Sequence, residues 1–95
     1  MSLKPRILAV AVRLSRQNGL MMFTRESVAH QADCSDANVS YHFGTIGKLR
    51  EAVIDYAVEH EIIEVISQAR AFKHPALGRM PQELRERVAA HIART

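Results

Sequence analysis

The chain has 95 residues, 47% of them hydrophobic, and a formal net charge of +3, which suits one domain with a small core. Gly and Pro are sparse and no stretch alternates apolar and polar residues, so strands are not expected and the fold class is read as all-α. No apolar run nears the ~20 residues that cross a bilayer, no leader is visible, a single cysteine (Cys34) forbids an internal disulfide, and the scattered histidines offer no metal-ligand spacing.

The first predicted helix is "KPRILAVAVRLSRQNG". Pro5 suits its first position, Ile7, Val10, Ala11 and Leu14 share one face, and Asn18-Gly19 ends it. "TRESVAHQAD" follows as a shorter helix, capped by Thr24, with Glu26 in the positive first turn and a narrow stripe of Val28, Ala29 and Ala32. After a tight turn at Ala32-Asp33-Cys34-Ser35, Ser35 caps a third helix whose inward edge is Val39 and Phe43. Asp36, Ala37, Asn38, Ser40, Tyr41 and His42 are left facing outward or sideways. Two short helices joined this way, the second with a polar outer side, form a helix-turn-helix.

Gly44, Thr45 and Gly47 then break the chain, and "KLREAVIDYAVEHEIIEVISQARAFK" can run as one unbroken helix. Its early apolar residues, Leu49, Ala52, Val53 and Tyr56, cluster on one side of the helical wheel. Ile54, Val58, Ile62, Val65, Ile66, Ala69 and Phe72 cluster on the other. A helix burying opposite faces in its two halves would bridge two packing partners. "HPALGRMP" is the next break, and Leu84, Val88 and Ile92 stripe a short C-terminal helix. The expected organisation is therefore a helix-turn-helix region over residues 1–47 and a helical hairpin over residues 48–95.

Charge is uneven. Residues 1–50 hold seven Lys/Arg (Lys4, Arg6, Arg13, Arg16, Arg25, Lys48, Arg50) against three acids, whereas residues 51–95 hold six against seven. A basic first half suggests a polyanion-facing end and a separate partner-facing end. No nucleophile–base pair or carboxylate pair stands out, so an enzyme is not expected.

From "ILAVAVRLSRQNG" through "TRESVAHQADCSDANVSYHFGTIGKLREAV", roughly residues 6–57, the pattern resembles the DNA-binding domain of the tetracycline-repressor (TetR/AcrR) family of bacterial regulators. The shared features are a capping Thr, an Ala-rich second helix, a Ser-capped third helix ending in Tyr-His-Phe, a loop, and a Leu-x-x-Ala-Val helix. The resemblance implies that the third helix enters the major groove of double-stranded DNA, with Asp36, Ala37 and Asn38 at base edges. It implies phosphate contacts for Ser40, Tyr41 and His42, and for Thr24 and Arg25. Asp36 can instead serve only its own helix terminus, an acid being unwelcome near phosphates, whereas an Asn38 amide can pair with adenine through both of its ends. Cys34, where the family usually has a small apolar residue, reads as a buried thiol.

Two departures stand out. The family often has a lysine three residues after the Phe, where this chain has Ile46; either Lys48 takes over that phosphate contact or it is lost. Family members also carry a large effector domain, whereas about forty residues remain here, little room for the ~300 Å³ a ligand cavity needs. No small-molecule effector, cofactor or metal is expected. The resulting expectation is a cytoplasmic, homodimeric DNA-binding regulator acting as a repressor, whose interface is the stripe Ile54, Val58, Ile62, Val65, Ile66, Ala69 and Phe72. A helix-turn-helix-derived protein-interaction module and a DNA-binding fragment of a longer regulator are the alternatives, and a bent fourth helix or refolded C-terminus that covers the stripe within a monomer is the rival to the interface.

Overall fold

Helices alone make up the regular structure of residues 2–94, the part of the chain that this computed structural model describes. The chain divides into two compact units, Met1–Val53 and Ile54–Thr95, the division falling inside the fourth helix.

In the first unit, α1 (Leu3–Asn18), α2 (Arg25–Gln31) and α3 (Asp36–Phe43) pack on one another. The expected face of α1 is the buried one, Ile7, Val10, Ala11 and Leu14, and it meets a core that includes Leu20, Phe23, Val28, Ala29, Ala32, Val39, Leu49 and Val53. Ser15 is fully buried as well, and its hydroxyl donates to the Ala11 carbonyl at 2.8 Å, so no polar atom there is left unpaired. Because α1 begins at Leu3, Pro5 is the third helical residue, not the first. It still lies within the first turn, where the missing N–H has no intrahelical acceptor to lose.

The turn between α2 and α3 is a Schellman motif closed on a residue other than glycine. The Cys34 N–H donates to the Ala29 carbonyl at 2.9 Å and the Asp33 N–H to the His30 carbonyl at 3.2 Å. Asp33 occupies the left-handed position, at φ 57°. An L-residue pays ~1–2 kcal/mol there that glycine does not. Asp33→Gly should therefore stabilise the protein by roughly 0.5–1 kcal/mol after glycine's extra unfolded-state entropy is counted. A raised thermal midpoint checks this, and an unchanged or lowered one would show that the Asp33 carboxylate holds the turn by itself.

At the far end of α3, Gly44 takes φ 78° and its N–H donates to the Ser40 carbonyl at 2.8 Å. The next helix, α4 (Ile46–Glu59), starts earlier than expected, because the Thr45 hydroxyl accepts the Lys48 N–H at 3.2 Å and caps it. Gly47, read as part of the break, lies in its first turn.

The largest correction concerns the long fourth helix. The stretch from Lys48 to Lys73 is not continuous: α4 stops at Glu59, α5 (Ile63–Ala69) resumes after a turn, and a 3-10 turn covers Arg70–Phe72. A second Schellman motif makes the break, with the Ile62 N–H donating to the Ala57 carbonyl at 2.8 Å and Glu61 left-handed at φ 56°. The Arg87 guanidinium, on α7 (Gln82–Arg94), pairs with the Glu61 carboxylate and holds the turn from outside. Between these lies a small helix, α6 (Pro75–Gly78), inside the segment read as a break; the His74 Nδ1 caps it by accepting the Ala76 N–H at 3.0 Å.

α5 packs on α7, and this second unit buries Ile54, Ala57, Val65, Ile66, Ala69, Ala76, Leu84 and Val88. The stripe assigned to a dimer interface is thus largely consumed within one chain. Ile54, Val65, Ile66 and Ala69 are at most 1% exposed, Val58 and Ile62 are half-buried, and Phe72 is 41% exposed. The premise of the interface was a straight helix too long for its one partner to cover. Once the helix breaks, its second half folds against α7 and the need for a second chain to cover Val65, Ile66 and Ala69 disappears, while Ile54, on α4, is buried as well.

Candidate nucleic-acid interface

All nine residues singled out for DNA belong to the first unit. On α3, at 100° per residue, Ala37 and Tyr41 sit at the centre of the side away from Val39. Asp36 and Ser40 lie on one flank, and Asn38 and His42 on the other. Exposure follows that geometry: Asp36, Ala37 and Tyr41 are exposed, whereas Asn38, Ser40 and His42 are half-buried. Tyr41, at 83%, is the most exposed of the large apolar side chains of this unit, and its ring meets His42 edge-on with centroids 5.1 Å apart. Packing does not hold this tyrosine; its ring and hydroxyl stand in solvent beside an imidazole.

Asn38 has a structural job that its neighbours' spacing concealed. Its Oδ1 accepts from both the Ser35 N–H (3.1 Å) and the Ser35 hydroxyl (2.8 Å), while Ser35 Oγ accepts the Asn38 N–H (3.1 Å). This is a capping box with Asn in the place usually held by Glu or Gln. The oxygen that adenine recognition would use is therefore committed to the helix, and only the Nδ2 donors are left for a base edge. Asn38→Ala should lower stability by about 1 kcal/mol through the cap alone. Asn38→Asp, which keeps the acceptor, should recover most of that loss in thermal melts; failure to recover it would mean that the cap contributes little.

The start of α2 is built the same way. Thr24 Oγ1 accepts the Ser27 N–H at 3.0 Å and Ser27 Oγ accepts the Thr24 N–H at 2.9 Å. Thr24 is exposed and Arg25 half-buried, with its Nε buried and lacking an acceptor. Lys48 is exposed in the first turn of α4, and Ile46, where the lysine was absent, is half-buried. Asp36 is exposed in the first turn of α3, where its charge favours the helix N-terminus. Cys34 is half-buried, not enclosed.

Four side chains near these residues escaped sequence reasoning. Lys4 places its Nζ 5.5 Å from the Phe43 ring centroid, and the Arg50 guanidinium carbon stands 5.5 Å from that of Phe23. Both are cation–π contacts between residues distant in sequence, which no local spacing announces. Met21 and Met22, just before α2, are 55% and 68% exposed. Among the described residues no helix is long and apolar enough to cross a membrane, and no three His, Cys, Asp or Glu side chains gather to hold a metal ion. Compared with known proteins, the chain matches no family model, no curated protein and no solved structure.

Proposed function

We propose that this chain is a sequence-specific DNA-binding regulator that uses α2 and α3 as a helix-turn-helix, and that it represses by occupying its operator. The observation that carries this reading is α3 itself. It is eight residues long, only Val39 is fully buried, and it is fixed by a capping box at one end and Gly44 at the other. A helix that contributes so little to the core, yet is so firmly terminated, is suited to presenting its outer side. That side offers a hydroxyl-bearing aromatic, an imidazole, a serine and an amide donor, groups that bond phosphate oxygens and base edges.

The proposal includes a homodimer acting in the cytoplasm, since a two-fold pair places two recognition helices on one face of the duplex. Its contact cannot rest on the four buried stripe residues; Val58, Ile62 and Phe72 are what that stripe leaves uncovered. No cofactor or small-molecule effector enters the proposal. The decisive experiment selects bound duplexes from a random pool at physiological salt. An enriched near-palindrome with half-sites about one helical turn apart, or a multiple of it, is expected. Recovery of no motif, with binding that stays flat as salt is varied, would replace this reading with a protein-interaction module.

A further inference from the structure

Two helices other than α3 bring a lysine to its C-terminal end. Lys4, from the first turn of α1, holds its ammonium 5.5 Å from the centre of the Phe43 ring, on the last residue of α3. Lys48, from the first turn of α4, lays its stem across the next residue: a Cβ placed on Gly44 would stand 3.3 Å from Lys48 Cδ. Both lysines are exposed, and among the described residues neither pairs with a carboxylate. Each is also fixed locally. The aromatic face restrains Lys4, and the Thr45 cap sets the turn that carries Lys48.

We propose that Lys4 and Lys48 together form a phosphate clamp that grips the DNA backbone where it passes the C-terminal end of the recognition helix. The clamp rests on the DNA-binding reading above and adds to it a residue, Lys4, from outside the helix-turn-helix. Two unpaired cations collected at one helix end favour an anion there. The side chains just before them on α3, Tyr41 and His42, offer neutral hydrogen-bonding partners to the same strand. The phosphodiester backbone supplies anions in a row, so one end of α3 can engage through charge while its middle engages through hydroxyl and imidazole. Cations at this end also favour the negative end of the α3 dipole. A purely structural role of that kind would move folding and leave the salt response of binding alone.

The test is duplex binding by the full chain, wild type against Lys4→Gln, Lys48→Gln and the double variant, across a salt series, with thermal melts in parallel. Each loss of a phosphate-bound lysine should flatten the slope of log affinity against log salt by about 0.9. Over a fourfold rise in salt, each single variant should then lose roughly 3.5-fold less affinity than wild type does. Lys4→Arg should restore the wild-type slope, and the bases preferred in the selected site should not change in any variant. Wild-type slopes in the glutamine variants, with lowered melting temperature, would assign both lysines to helix stabilisation and overturn the clamp while leaving the DNA-binding reading intact. A wild-type protein that binds heparin or single-stranded RNA but no duplex in low salt would overturn both.

Discussion

Replacing Ile66 with glutamate should unfold the second unit. Ile66 is fully enclosed on α5, the helix that packs on α7, and a carboxylate there would be cut off from water. The cost exceeds ~4 kcal/mol, a large share of the ~5–15 kcal/mol that holds a domain together. A graded series makes the mechanism explicit. Ile66→Val should cost roughly 0.5–1.5 kcal/mol and Ile66→Ala roughly 2–5 kcal/mol, each in proportion to the volume removed. Circular dichroism should show lost helix and urea melts a lost or weakened transition for Ile66→Glu. A variant that kept its helix content and merely changed from a sedimenting dimer to a monomer would put Ile66 at a contact between chains, as the straight-helix expectation had it.

Tyr41→Phe should separate binding from folding. With the side chain 83% exposed, removing its hydroxyl touches nothing in the core, and the melting temperature should stay where it is. A hydroxyl bonded to a charged phosphate contributes roughly 1.5–3 kcal/mol, so duplex affinity should fall about tenfold to a hundredfold. Because a phosphate contact carries no sequence information, cognate and random duplexes should weaken alike. Because the hydroxyl neutralises no charge, the log–log salt plot should shift downward in parallel, unlike the flattening expected for a lysine. An affinity unchanged within twofold would remove Tyr41 from the interface. A changed base preference would move it from the backbone to a base edge.

Legibility followed the range of the interaction that fixes each feature. The helix-turn-helix was readable because its signals are local: Thr24 and Ser35 ahead of apolar spacing, a four-residue turn, glycines after Asn18 and Phe43. The buried faces Ile7–Leu14 and Val28–Ala32 follow from period alone. What was missed was either a familiar device in unfamiliar residues or a contact between distant ones. The capping boxes use Ser27 and Asn38 at the position where Glu or Gln is the usual marker, so Asn38 read as a free recognition residue. The break at His60–Ile62 carries no Gly or Pro, and its anchor, Arg87, lies 26 residues from Glu61. Helical periodicity ran through it undisturbed. The shift of the apolar face along that stretch was the trace that survived in the sequence, and a straight helix with two partners explained it as well as a bend did.

That bend places an L-residue, Glu61, in the left-handed region at a cost of ~1–2 kcal/mol, within a segment whose residues all accept helical geometry. The turn is therefore the element that lets α5 fold back and bury its apolar strip. Folded over, α5 shelters the strip inside its own chain; straightened, it would carry Val65, Ile66 and Ala69 outward, where only the α7 of another molecule could replace the missing cover. Exchange of identical segments between chains costs little when the contacts made are the same ones. The Arg87–Glu61 ion pair, which joins the turn to α7, braces the folded-over form. Glycine and alanine at position 61 both remove the ion pair, but only glycine takes the left-handed conformation without strain, so Glu61→Ala should weaken this turn more than Glu61→Gly does.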